Sequence, residues 1–182
     1  MRTPRIIPKK GRAIIAWFVA TQVIYLIMVL VTLPRLGLLA GGLQPFDLMP
    51  RGYGFAHARD FLSAIGSEGR RFYLTRQIPL DLVYPAMFMI SYCSIWLWLQ
   101  EKTGSKSRLA GFFVALPVIA AVTDYLENTL IVAMLVKFPA LSEAMVAFAS
   151  LATITKSVAT AGYFAALSLF LVLALYRRLK EK

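Results

Sequence analysis

Within VTDYLENTL, Asp124, Glu127 and Asn128 stand at i, i+3 and i+4, so a helix carries all three on one face, with Thr123 and Tyr125 flanking them. Two carboxylates that close, partly withdrawn from water, repel each other, and their charge must be met by a proton or by neighbouring cations. Such a pair can serve as general acid and base, or supply oxygen ligands to a metal together with Asp81. Asp124 and Glu127 are therefore the candidate catalytic residues. Asp81 and Lys156 are the other ionisable residues within apolar stretches. Placing each such group in a bilayer costs on the order of 3 kcal/mol, so all four are expected to face a bundle interior or an aqueous cavity. The available cations are Lys156 and the arginines of GSEGRRFYLTRQ: Arg70, Arg71 and Arg76. If one helix runs through Pro79, then Arg70, Tyr73, Gln77, Asp81 and Tyr84 share a face, although proline is an expected break. The candidate ligand-binding set is thus Asp81, Asn128, Lys156, Arg70, Arg71, Tyr73 and Arg76.

Other chemistries are excluded or unsupported. His57 is the single histidine and Cys93 the single cysteine. Zinc, haem and diiron sites built on two or more histidines therefore do not fit one chain, and no intramolecular disulfide can form. There is no phosphate-binding glycine loop, nucleophile elbow, His-Glu-x-x-His or Cys-x-x-Cys pattern, and no lipidation motif, so no metal and no cofactor is expected. A lone loop histidine such as His57 is ordinarily a surface residue.

The elements that must position these residues follow from composition. Of 182 residues, 59% are hydrophobic and 16% charged, against about half and a quarter in soluble domains. The apolar residues fall into blocks long enough to cross a bilayer at 1.5 Å per residue, and the charges crowd into the gaps. The sequence predicts an all-α integral membrane protein, a single domain over 1–182, built as a bundle of four transmembrane helices. The spans fall at approximately 13–33, 78–99, 109–136 and 154–176. Pro34 is expected to end the first. A cleaved leader is not expected, because the first apolar run exceeds a signal-peptide core and LLAGG is a poor cleavage site. The stretch from Ser142 to Tyr176 is too long for one perpendicular crossing, and Lys156 is expected to divide it into an interfacial part and a spanning part.

The net charge of +11 orients the chain. Five cations precede the first span (Arg2, Arg5, Lys9, Lys10, Arg12), three lie between the second and third (Lys102, Lys106, Arg108), and four follow the last (Arg177, Arg178, Lys180, Lys182). These 12 of the 20 Lys and Arg residues share one face, which marks both termini as cytoplasmic in the plasma membrane. They flank hydrophobic spans and form no stripe among stacking aromatics, so nucleic acid is not expected as a partner. The opposite face holds the extracytoplasmic segment 34–77, with six arginines (35, 51, 59, 70, 71, 76) against Asp47, Asp60 and Glu68. Within it Phe55, Ala58, Phe61, Leu62 and Ile65 recur at helical spacing, between turn signals at Asp47 to Gly54 and at Gly66 and Gly69. This predicts an amphipathic helix on the outer surface or over the bundle.

With this topology Asp81, Asp124, Glu127 and Lys156 fall in the outer half of the membrane. Their convergence suggests a polar pocket for an anionic or amphipathic ligand such as a lipid headgroup, with the arginines at its mouth. An interhelical network that only fixes register is the plain alternative. An enzyme acting on a lipid-borne substrate, a proton-coupled carrier, and an accessory or structural subunit of a membrane complex are the others. Ala149, Thr153, Ser157, Ala161 and Ala165 form a ladder of small residues at i+4, the kind of face that lets helices approach closely in lipid. A second copy of the chain or a larger membrane complex is the expected partner through it, and membrane lipids are expected partners besides.

Overall fold

The computed structural model describes residues 11–103 and 110–180. Arg2, Arg5, Lys9, Lys10, Lys106, Arg108 and Lys182, on which much of the charge orientation rests, lie outside them. Among the described residues there are five helices and no strand. Helix α1 runs Gly11–Leu39, α2 Phe55–Ala64, α3 Gly66–Thr103, α4 Ala110–Lys137 and α5 Glu143–Lys180. All but α2 are long and apolar enough to cross a membrane, which is the construction of a membrane protein. The long helices pack in chain order, α1 on α3, α3 on α4 and α4 on α5, while α1 and α5 make no extended contact.

Pro34 does not end α1, nor does Pro79 break α3. Proline at position i lacks the N–H that would reach the carbonyl at i−4, and its ring crowds that carbonyl. For Pro34 and Pro79 those carbonyls belong to Leu30 and Thr75, the central residues of two widened π turns, Met28–Thr32 and Tyr73–Gln77. In each turn the N–H after the segment bonds five residues back, Leu33 to Met28 and Ile78 to Tyr73. The extra residue per turn makes room for the ring and the helix continues. The helical part of the chain therefore takes in both ends of the 34–77 segment. α1 closes at Leu39, where Gly41 (φ +64°) and Gly42 (φ +95°) reverse the chain. Nor is the last apolar stretch divided at Lys156: α5 is one helix, started by Ser142, whose Oγ accepts the Met145 N–H at 3.2 Å.

Two cores stabilise the bundle. One lies at the end carrying the 40–65 segment, where α2, with Ala58, Phe61 and Leu62 fully buried, packs on α5 and the start of α3. Phe46, Phe61 and Tyr73 interlock there with ring centroids 5.0 to 6.4 Å apart, within the range of favourable aromatic pairs. The helix anticipated from the spacing of Phe55 to Ile65 thus sits over the bundle. The second core, Phe88, Tyr92, Trp96, Ala120, Ala159 and Tyr163, fills the far half of α3, α4 and α5. Polar pairs tie the helices where hydrophobicity gives no preference for protein over lipid. Thr21 meets Ser91 at 2.7 Å, Gln22 donates to the Tyr92 hydroxyl at 3.1 Å, and Tyr163 donates to the Tyr92 carbonyl at 2.7 Å.

Candidate functional site

The i, i+3, i+4 spacing in α4 turns Asp124, Glu127 and Asn128 inward, and all three are buried. Opposite them α5 brings Lys156, whose Nζ lies 2.5 Å from Glu127 Oε2 and 3.2 Å from Asp124 Oδ1. Thr153, one turn earlier on α5, donates to Glu127 Oε1 at 2.9 Å. Asn128 Nδ2 donates to the Asp81 backbone carbonyl at 3.0 Å and to Asp124 Oδ1 at 3.4 Å, linking α4 to α3. An ammonium between two carboxylates, with a hydroxyl donor on the second oxygen of Glu127 and an amide donor sharing Asp124 Oδ1, offsets part of the cost of burying the charges. Lys156 is tied into this network through both carboxylates.

Asp81, on α3, stands apart from that network. Its side chain is 2% exposed, its carboxyl lies within hydrogen-bonding reach of that of Asp47, and its Oδ2 receives no hydrogen bond. Asp47, in the short turn Phe46–Leu48, accepts a hydrogen bond from the Tyr73 hydroxyl on Oδ2, while its Oδ1 receives none. The loop reaches this depth because Gly52 (φ +81°) lets it lie directly on α5, where Ser150 Oγ accepts the Tyr53 N–H at 2.9 Å. Burial pushes the pKa of the Tyr53 hydroxyl well above its ordinary range, and the nearby Glu127 carboxylate adds to this, so the hydroxyl stays neutral.

These groups form the polar end of a cavity of about 380 Å³. Asp47, Asp81, Asp124 and Lys156 face it at that end. Most of the remaining wall is apolar, with Met28 and Leu33 from α1, Pro85 and Phe88 from α3, and Ala120 and Ala121 from α4, while Tyr84 on α3 and Ser157 and Thr160 on α5 add hydroxyl groups to it. The lining residues that remain exposed are Tyr25 on α1, Leu48 and Pro50 on the loop, and Ala161 and Phe164 on α5. The cavity therefore opens between α1 and α5, the two long helices that do not pack on each other.

The structure brings together Asp81, Asp124, Glu127, Asn128 and Lys156, with Tyr73 behind Asp47. It does not bring the arginines to them. Arg70 donates to the Leu62 carbonyl at 2.9 Å and lies 4.6 Å from the centre of the Phe138 ring, while Arg71 and Arg76 point outward, and none of the three lines the cavity. Glu127 sits behind Lys156 and does not face the cavity. Asp47 and Thr153 were not anticipated as members of the site. Asp47 had the signature of a turn residue and Thr153 that of a small packing residue. The small ladder itself divides, with Ala149 and Thr153 buried within the chain, Ser157 half-buried, and Ala161 and Ala165 exposed. His57 approaches the Gln44 carbonyl at 3.0 Å, away from the cavity. Among the described residues no group of three His, Cys, Asp or Glu side chains could hold a metal ion. The chain matches no protein-family model, no curated protein and no solved structure.

Proposed function

We propose that this is a multi-pass membrane protein whose bundle holds an amphipathic ligand, its apolar part between α1 and α5 and its polar end on the carboxylates and Lys156. The observation that carries this is the shape and chemistry of the cavity: largely apolar walls, a charged inner end, and an opening between two apolar helices. Ligand sites commonly take this form, with few polar groups fixing the orientation of a largely apolar body. With no arginine in the lining, an amphipathic ligand is favoured over a simple anion. In this proposal the chain lies in the plasma membrane with both termini cytoplasmic, and the cavity is in the outer half.

The test is retention of lipid by the purified full-length chain in mild detergent, measured by mass spectrometry. Ala161→Trp, at the exposed rim, places a large side chain across the opening without entering the core. It is expected to reduce retained lipid at least fivefold while leaving thermal unfolding unchanged. Equal retention by wild type and variant would overturn the proposal.

A second reading, an enzyme acting on a lipid-borne substrate, is favoured by one observation, the buried Asp81 carboxylate that meets the cavity with an oxygen lacking a donor. In that case Asp81, and not Glu127, is positioned as the base. Chemical change in a lipid incubated with wild type, absent with Asp81→Asn, would establish it.

A further inference from the structure

The segment 40–54 lies across the charged end of the cavity as a strap, with Asp47, Leu48 and Pro50 in the lining. Phe46 anchors it among buried rings, the Tyr53 N–H donates to Ser150 Oγ at 2.9 Å, and the Tyr73 hydroxyl donates to Asp47 Oδ2. The remaining tie differs in kind: the Asp47 carboxyl meets that of Asp81 on α3. Two carboxylates repel, and neither has a hydrogen to offer, so a hydrogen bond between carboxyls requires that one of them be protonated. Among the described residues no hydroxyl, amide or ammonium donates to Asp47 Oδ1 or Asp81 Oδ2, and both oxygens have almost no accessible surface. Nor is a cation to spare, because Lys156 is committed to Asp124 and Glu127.

We infer that one proton shared by Asp47 and Asp81 latches this strap to the bundle, and that rising pH releases it and uncovers the charged end of the cavity. The proton is enclosed while the strap is seated, so it leaves only as the strap lifts, passing to water while Asp47 departs as a carboxylate. Seating and protonation are therefore one equilibrium. In the lifted state both acids meet water, where a carboxyl ionises near about pH 4, so at higher pH each opening releases one proton. The seated form is thus favoured at low pH, and opening becomes about tenfold easier for each pH unit over which the seated pair keeps its proton. The other titratable groups around the pair are Tyr73 from α3, Asp124 and Glu127 from α4, Lys156 from α5 and Tyr53 from the strap, with Tyr25 of α1 and Tyr84 of α3 in the same cavity. From α2, His57 approaches the strap at the Gln44 carbonyl, and histidine ordinarily titrates near neutral pH, so it is the group to be separated from the latch. The latch is built from this chain alone and stands whatever the cavity holds.

The experiment is hydrogen exchange of the full-length chain in lipid nanodiscs, read by mass spectrometry on peptides covering residues 45–54 and corrected at each pH for the exchange rate of an unstructured chain. Protection there is expected to fall by about tenfold per pH unit between about pH 5 and 8, the slope of one released proton, while the core around Tyr92 and Trp96 keeps its protection. Asp47→Asn replaces the shared proton with an amide N–H that needs none from solution, and its oxygen still accepts from Tyr73. The strap of that variant is expected to stay protected across the range with no slope, and Asp81→Asn to do the same from the other side. His57→Gln keeps the wild-type slope. Should the asparagine variants not fold, wild type and His57→Gln decide by themselves. A change of less than about threefold in the wild-type strap over the whole range, where one proton gives far more, overturns the inference. So does a slope that survives Asp47→Asn and Asp81→Asn, or one that disappears with His57→Gln. None of these outcomes touches lipid retention, so the cavity proposal stands or falls separately.

Discussion

Thr32 and Gln77 occupy the same place in two different helices, each the last residue of a π turn, and the hydroxyl of one donates to the side-chain carbonyl of the other. Both turns end two residues before a proline. Two local solutions to the same steric problem thus meet, and the polar side chains at their ends bond across the gap. This contact joins α1 to α3 one helical turn before Asp81.

Thr32→Val keeps the shape of residue 32 and removes the hydroxyl. Gln77 is fully buried and its Nε2 already has no partner, so the variant leaves the whole amide without one. A loss of about 1–3 kcal/mol is expected, read as a lower thermal midpoint in detergent. An unchanged midpoint would show that the contact contributes nothing to holding the two helices.

Lys156→Met leaves Asp124 and Glu127 buried without their cation. Breaking a buried pair from one side costs about 3–5 kcal/mol, whereas replacing all its members is often close to neutral. Combining Lys156→Met with Asp124→Asn and Glu127→Gln is therefore expected to recover most of the stability lost by the lysine variant alone. Thermal unfolding of the two proteins side by side checks it, and equal losses would contradict the pairing.

Gly52→Ala meets two obstacles. A Cβ there would lie 2.4 Å from Ser150 Oγ and 2.8 Å from Ile154 Cδ1, and the backbone has φ +81°. The conformational cost alone is about 1–2 kcal/mol, and the clash lifts the loop from α5. The expected result is a lower midpoint together with easier proteolysis between residues 45 and 54. Gly54→Ala, with nothing within 4 Å of its Cβ, is the matched control.

The arginines separate into two groups. Arg70→Ala loses the bond to the Leu62 carbonyl and the contact with Phe138, and is expected to cost about 1–3 kcal/mol. Arg71→Ala with Arg76→Ala, both exposed, is expected to stay within about 0.5 kcal/mol of wild type. Neither variant is expected to alter retained lipid, since none of these residues lines the cavity.

Much of the helical framework was legible from composition and spacing. Uncharged runs of about 20 residues have few other uses, and the Phe55 to Ile65 pattern repeats at the period of a helix that buries one side. The meeting of Asp124, Glu127, Asn128 and Lys156 could be read because burying each is costly and topology places them at one depth. Asp47 could not. Its position depends on how fourteen residues of irregular chain fold back between Leu39 and Gly54, which turn signals locate but do not aim. The passage of α1 through Pro34 and α3 through Pro79 was hidden for a related reason. Proline states that a standard turn cannot be made and leaves open whether the helix stops or widens. The arginines misled because a cation near acids in sequence was counted as a partner, while Arg70 spends its donors on a carbonyl.

If the cavity takes an amphipathic ligand as proposed, its opening between α1 and α5 also changes what binding strength means for this protein. A site entered from water sees its ligand dilute, but one entered from the side is always in contact with some amphiphile, so it is never empty and only exchanges one occupant for another. Selectivity then depends on the abundance of each species relative to its neighbours in the bilayer. A tenfold preference, about 1.4 kcal/mol, is enough to half-fill the cavity with a component that makes up roughly a tenth of the surrounding lipid. Such a protein would report the composition of its membrane more readily than the concentration of anything dissolved around it.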